Sequence, residues 1–131
     1  MAEQNLAVLL RSMKPVLGAT PYGYVVWPDG SLPPVAFATV AEAEGLTVVA
    51  DWAALMEAEL KPGVISGPWA RISLTIHSDL AAVGLTAALA GALGAEGISA
   101  NVIAGFHHDH IFVPWDRRLD AMAALLALSR A

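Results

Sequence analysis

The stretch that decides the fold runs from Arg71 to Val113 and reads RISLTIHSDLAAVGLTAALAGALGAEGISANVIAGFHHDHIFV. At its start, apolar and polar residues alternate over residues 70–77, which is the period of a strand with one buried face. A helical pattern follows, and then two further strand patterns over residues 98–106 and 110–113. This stretch therefore predicts the order strand, helix, strand, strand.

The helix of this stretch should begin near residue 80, because Ser78 and Asp79 are both residues that cap helices. It should end near Ala95, with a buried stripe of leucines at helical spacing: Leu85, Leu89 and Leu93. Its many Ala and Gly residues predict close packing against a second helix or a second subunit. A last helix should begin at Asp116, with a core stripe of Leu119, Met122, Leu125 and Leu126.

The first half of the chain predicts a helix, three strands and a second helix. The first helix should cover residues 4–13, and the strands should cover residues 22–27, 35–41 and 46–50. Asp51 should cap the second helix, over residues 52–60, because its carboxylate can accept the free amides of the first turn. Pro and Gly are concentrated around residues 64–68, which predicts a linker or a domain boundary there.

Composition excludes several classes of function. Hydrophobic residues make up 56% of the chain and charged residues 15%, which predicts a folded protein with a sizeable core. The net charge of −5 and the scattered seven Lys and Arg residues argue against binding to nucleic acid or to a membrane surface. Cysteine is absent, which excludes disulfides and thiolate metal sites. We expect a soluble, cytoplasmic protein.

Each half of the chain is one element short of a ferredoxin-like βαββαβ unit. We therefore predict an α+β fold made by a degenerate duplication, in which two interlocked halves lend each other strands. The sheets should be antiparallel, with helices packed on one face. The halves should be residues 1–64 and residues 65–131.

Four segments carry a resemblance to a small bacterial family of stand-alone ACT-domain proteins. They are EGLTVVAD (44–51), LTIHSDLAAVGLTAAL (74–89), GISANVIAGF (97–106) and HDHIFVP (108–114). The resemblance implies a paired ACT-like protein, with an N-terminal ACT-like half and a C-terminal ACT domain. It also implies a regulatory, non-catalytic module that binds an amino acid or another small ligand at an interface, as a homodimer.

The turn of His77, Ser78 and Asp79 is the first candidate site. A helix start presents free amides and the positive end of a dipole, which suit the carboxylate of an amino acid. Asp79 could pair with the ammonium group of the same ligand. The alternative is that Ser78 and Asp79 only cap their own helix. The resemblance favours ligand binding, and it adds three residues beside this turn: Leu80, Val83 and Gly84.

The segment from Asn101 to Gly105 should return beside that turn and form the second part of the site. Asn101 is polar in an apolar strand, and Gly105 would let a backbone or a ligand approach closely. The alternative is a β-bulge at Gly105 and an Asn that faces solvent. Ile103 and His108 complete the ligand-binding set that the resemblance implies.

The run His107-His108-Asp109-His110 leaves three interpretations open. Its imidazoles and carboxylate are metal ligands by type, which would suit a small metal-dependent enzyme. They could equally make polar contacts to a ligand or hold a hydrogen-bonded corner between two strands. No nucleophile, nucleotide-binding or HExxH motif is present in the sequence. We therefore expect no catalytic set, no metal and no cofactor, and we retain as alternatives the enzyme and a purely structural interaction protein.

Overall fold

The computed structural model describes residues 5–28, 35–58, 60, 63–76, 79 and 82–130. The chain divides into two compact units. The terminal unit comprises Met1–Gly18 and Ala70–Ala131, and the central unit comprises Ala19–Trp69. The elements in chain order are α1 (Leu6–Ser12), β1 (Pro15–Leu17), β2 (Tyr22–Trp27), β3 (Ala38–Glu42), β4 (Gly45–Asp51), α2 (Trp52–Glu57), β5 (Ile65–Leu74), α3 (Leu85–Ala95), β6 (Asn101–Ala104), β7 (Asp109–Pro114), a 3₁₀ turn (Trp115–Arg117) and α4 (Arg118–Arg130).

Strand β5 contributes its first half to the central unit and its second half to the terminal unit. Of the two interpretations of residues 64–68, the linker is therefore wrong from Ile65 onward, whereas the boundary lies one residue away from the division between the units at Trp69 and Ala70. The Pro and Gly residues of this segment lie inside β5. They lie next to an irregularity in the pairing, since the register of β5 against β2 shifts between Tyr22 and Tyr24. A proline, which has no N–H to donate, is tolerated at such an irregularity.

The central unit is a four-stranded sheet in the order β3-β4-β2-β5, with β2 antiparallel to both of its neighbours. Helix α2 packs against a small core of buried apolar residues: Val25, Trp27, Val48, Ala50 and Leu55. The predicted cap of this helix is confirmed, since the amide of Ala54 donates to Oδ2 of Asp51 at 3.3 Å.

The terminal unit is a four-stranded sheet in the order β1-β5-β7-β6. The predicted alternation along β5 is confirmed, because Ala70, Ile72 and Leu74 are all buried in the core of this unit. Strand β1 is antiparallel to β5, with Pro15 opposite Leu74. The buried stripe of α3 is also confirmed, and it joins residues from α1, α4 and β7 in the same core: Leu9, Met13, Leu85, Leu89, Leu93, Ile111, Val113, Ala121 and Leu125.

Both units have the strand order of a ferredoxin-like fold, in which the fourth strand lies beside the first. In the terminal unit, the chain supplies β5, β6 and β7 in turn, and the fourth position is filled by β1 from the N-terminus. In the central unit, β2, β3 and β4 come first, and β5 fills the fourth position. The predicted α+β fold with halves that lend each other strands is confirmed. Residues 29–34, which connect β2 to β3, lie outside the described residues.

Helix α3 begins five residues later than predicted, at Leu85. Gly84 occupies the N-cap position with a φ of 96°, and no side chain caps the helix. This left-handed backbone conformation favours glycine, so the chain enters the helix at Gly84 and not at Ser78 or Asp79. The prediction that one of those two residues caps the helix is wrong.

Helix α3 lies against α4 and α1, but two of its small residues, Gly91 and Gly94, do not take part in the predicted close packing against a second helix. Gly91 and Gly94 are exposed, and a Cβ atom added at either would meet nothing within 4 Å. The described residues of this chain therefore do not use that face for close helix packing.

Helix α4 also differs from its prediction, because a 3₁₀ turn precedes it. Asp116 lies inside that turn, which has no side-chain cap, and the α-helix begins at Arg118. The buried residues of α4 are Ala121 and Leu125, whereas Leu119 is 69% exposed and Leu126 is 39% exposed. The face that packs into the core thus includes Met122 and Leu125 of the predicted stripe, but not Leu119 or Leu126.

Across the described residues, every helix falls short of the length and apolar character that a membrane-spanning helix requires.

The core assignment predicts opposite results for two leucines. Leu89→Ala should lower the free energy of unfolding by about 2–5 kcal/mol, because it leaves a cavity at the centre of the terminal unit. Leu119→Ala should change it by less than about 0.5 kcal/mol, because that side chain is mostly exposed. Urea denaturation followed by circular dichroism measures both. Equal losses for the two variants would contradict the observed face of α4.

Candidate ligand-binding site

The end of β5 and the hairpin between β6 and β7 lie side by side. Nδ1 of His108 is 3.2 Å from the carbonyl oxygen of Ile76. A carbonyl can only accept, so this contact places the proton on Nδ1 and fixes the tautomer of the His108 ring. The corner defined by Ile76 and His108, called the β5–hairpin corner below, therefore has a fixed polar geometry.

The hairpin itself is tight. Ala104 lies opposite Asp109, and the amide of Gly105 donates to the carbonyl oxygen of His108 at 2.9 Å. A Cβ atom on Gly105 would lie 2.8 Å from that same oxygen, so the turn requires glycine there. Phe106 lies at the tip and is 72% exposed. The close approach that the sequence predicted at Gly105 is made by the backbone of His108.

The structure describes only part of the predicted turn before α3. His77, Ser78 and Leu80 lie outside the described residues. Asp79 is half-buried, and its carbonyl oxygen accepts the amide of Ala82 at 2.9 Å. Val83 is 84% exposed. A Cβ atom on Gly84 would lie 3.1 Å from the side chain of Leu6, so this residue packs against α1.

The two predicted residues of β6 lie at different distances from the corner. Ile103 is half-buried and lies opposite His110. Asn101 is exposed and lies opposite Phe112, three residues before the end of the strand. At about 3.4 Å per residue, that places it about 10 Å from Ala104. The structure therefore does not bring Asn101 to the β5–hairpin corner.

The histidine run divides between two faces of β7. Asp109 is 8% exposed and alternates with His110, whose Nδ1 lies 2.8 Å from Oγ of Ser73 on β5. His108, Asp109 and His110 thus do not converge on one point. Within the described ranges, no group of three or more His, Cys, Asp or Glu side chains is arranged to hold a metal ion.

Sequence reasoning missed the polar face of β5. Arg71 and Ser73 alternate with the buried Ala70, Ile72 and Leu74, so they lie on the face away from the core. The alternation was visible in the sequence, but nothing there paired Ser73 with His110, because 37 residues separate them.

The surroundings of His110 lower the pKa of its imidazole. Burial lowers the pKa of His110 below its usual value of 6.5, and the nearby Arg71 and His108 lower it further. The nearby Asp109 acts in the opposite direction but does not outweigh them. The neutral imidazole is therefore favoured at neutral pH.

The family comparison agrees with the ferredoxin-like strand order of both units. Two models described as ACT domain match this chain, one over residues 1–63 and the other over residues 64–127. The chain belongs to the ACT-domain family.

Solved structures of similar fold fall into two groups. A protein of unknown function from Vibrio cholerae, described as a possible transport protein, is 40% identical, with a TM-score of 0.79 and 95% of each chain covered. The regulatory subunit of aspartate kinase from Thermus thermophilus, in a ligand-free form, is 11% identical, with a TM-score of 0.63, 89% of this chain covered and 97% of that one. A comparison with curated proteins gave no match.

A third structure of similar fold contains ligands. Aspartokinase III from E. coli, in complex with aspartate and ADP, is 14% identical with a TM-score of 0.62, and the match covers 87% of this chain and 32% of that one. At such identities these structures show the fold alone.

The hairpin geometry predicts opposite effects for two Gly→Ala substitutions. Gly105→Ala should destabilise the protein by about 1–3 kcal/mol, because the added Cβ collides with the carbonyl of His108. Gly91→Ala should stabilise it by up to about 1 kcal/mol, because alanine is the better helix former and the position is open. Thermal and urea unfolding measure both changes. A neutral result at Gly105 would contradict the tight hairpin.

Proposed function

We propose that this protein is a non-catalytic regulatory module that binds a small amino-acid-like molecule at the β5–hairpin corner. We further propose that it acts in the cytoplasm as a homodimer. The observation that carries the proposal is the contact of His108 with the carbonyl of Ile76, which brings two separate parts of the chain into one fixed polar corner.

The corner has features that suit a small polar ligand. The Gly105–His108 hydrogen bond and the His108–Ile76 contact hold its backbone in place before any ligand arrives. A rigid site of this kind loses little conformational entropy on binding. The half-buried Asp79 follows Ile76 by three residues, and its carboxylate is the group that we assign to a ligand ammonium.

Family membership supports a regulatory role over a catalytic one. The structures of similar fold include regulatory subunits of aspartate kinase from two Thermus species. One kinase of similar fold was solved with aspartate bound. An amino acid is therefore the first ligand class to test for this chain.

A panel of the common amino acids, tested by thermal shift and then by calorimetry, examines the proposal. A true ligand at one hundred times its dissociation constant should stabilise the protein by about 2.7 kcal/mol. Asp79→Ala should weaken binding by about tenfold or more while the protein stays folded, because a charge-assisted hydrogen bond is lost.

The matched control for Asp79→Ala is Asp116→Ala. Asp116 is exposed in the 3₁₀ turn that follows β7, whereas His108 lies just before the other end of that strand, so the removal of Asp116 should leave ligand affinity unchanged. The proposal fails if no panel member binds at millimolar concentration. The assignment of Asp79 fails if both variants bind the ligand as well as the unmodified protein does.

The edge of β6 supports the homodimer. Among the described residues, β6 ends the strand order of the terminal unit. Gly105 is hydrogen-bonded to His108, and bonded pairs alternate along an antiparallel ladder, so the backbone of Ala104 and Val102 points away from β7. Such an edge can pair with a second copy.

Sedimentation velocity tests this edge with two variants. Ala104→Pro removes an outward N–H, which an edge strand tolerates, and should convert a dimer into a folded monomer. Gly91→Glu, on the exposed face of α3, should leave the dimer intact. If the dimer persists in Ala104→Pro but is lost in Gly91→Glu, the interface lies on α3 and not on β6. A monomeric unmodified protein would exclude the homodimer.

A further inference from the structure

We infer that Arg71, Ser73 and His110 form a carboxylate-binding site on the face of β5 and β7 that lies away from the helices. This inference deepens the proposed function: these side chains would bind the acidic group of the small amino-acid-like ligand proposed above. It rests on the proposed function for the identity of that ligand. The sequence predicted that the carboxylate would bind at a helix start near Ser78. Helix α3 instead begins at Leu85, with Gly84 at the N-cap position and no side-chain cap.

The three side chains are brought together by the sheet. Strands β5 and β7 are neighbours, and Oγ of Ser73 lies 2.8 Å from Nδ1 of His110. Arg71 precedes Ser73 by two residues, so both side chains leave β5 on the same face. The Nε atom of Arg71 is buried, which restricts where its guanidinium can point.

The hydrogen bond with Ser73 determines which ring nitrogen of His110 carries the proton. When Ser73 donates its hydroxyl proton to Nδ1, the neutral ring carries its own proton on Nε2. Nε2 lies 3.6 Å from the position that a Cβ atom on Gly105 would take. Because residue 105 is a glycine, it places no side chain next to Nε2 of His110.

The charges at this face favour an anion. The nearby Arg71 contributes, after burial, to lowering the pKa of His110, which is consistent with a guanidinium close to this imidazole. Asp109 itself leaves β7 on the other face. A bound anion would be attracted by the Arg71 guanidinium.

The chemistry of the cluster suits a carboxylate better than a phosphate. One permanent cation, Arg71, matches the single charge of a carboxylate, and its planar guanidinium can donate two parallel hydrogen bonds to the two oxygens. A neutral imidazole and a hydroxyl add dipoles without a second charge. A dianionic phosphate would leave one negative charge without a partner in this cluster.

The test uses bare carboxylate as the probe. The imidazole resonances of His110 are followed by NMR over a pH series in sodium acetate, in sodium phosphate and in sodium chloride of equal ionic strength. Acetate should shift the His110 signals saturably and raise the pKa of His110, because an anion binds the imidazolium more tightly than the neutral ring. Chloride should do neither. A larger response to phosphate than to acetate would overturn the carboxylate assignment.

Two substitutions at Arg71 and one control complete the experiment. Arg71→Gln should weaken acetate binding by about tenfold or more, and Arg71→Lys, which keeps the charge but loses the planar fork, should weaken it less. Arg11→Gln removes an exposed arginine from the last turn of α1 and should leave binding unchanged. If Arg71→Gln does not fold, Arg71→Lys and Ser73→Ala carry the test, and acetate affinity unchanged in both overturns the site.

Failure of this site can be told apart from failure of the proposed function. If no amino acid binds but acetate acts on His110 through Arg71 as described, the carboxylate site stands and the amino-acid proposal falls. If an amino acid binds with equal affinity to the unmodified protein and to Arg71→Gln, the carboxylate site falls and the regulatory proposal stands. If acetate leaves the His110 signals where chloride leaves them, the site is excluded.

Discussion

Strand β5 pairs with β2 along its first half and with β1 along its second half, and both pairings are antiparallel. Each unit needs this strand, because β5 is the fourth strand of the central sheet and the first strand of the terminal one. The C-terminal part of the chain supplies only three strands of the terminal sheet, β5, β6 and β7. The fourth strand of this sheet is β1, which comes from the N-terminus. A cut at the midpoint of the chain would leave both sheets incomplete.

The candidate site follows from the same strand. Its apolar side chains, Ala70, Ile72 and Leu74, are fixed in the core of the terminal unit. The alternation then places Arg71 and Ser73 on the opposite face, where Ser73 meets His110. Just past the end of β5, the carbonyl oxygen of Ile76 accepts a hydrogen bond from Nδ1 of His108. Burial on one face of β5 thus positions the polar groups on the other.

Local patterns predicted the elements well, and long-range contacts account for most of the errors. The alternation along β5, the leucines of α3 and the cap at Asp51 depend on neighbours in sequence, and all three are confirmed. The start of α3 was misplaced because Ser78 and Asp79 are good capping residues, whereas Gly84 is selected by a left-handed backbone. Arg71 and Ser73 could not be chosen as site residues, because their partner His110 is distant in sequence.

Removal of residues 1–18 tests the exchange of strands most directly. This deletion takes away β1 and the buried side chains of Leu9 and Met13 while leaving the rest of the terminal unit intact in sequence. Thermal unfolding of residues 19–131, compared with the whole chain, should show a loss of cooperative unfolding in the terminal unit, together with weak protection of the β5 amides from hydrogen exchange. An unfolding midpoint and amide protection equal to those of the whole chain would contradict the account.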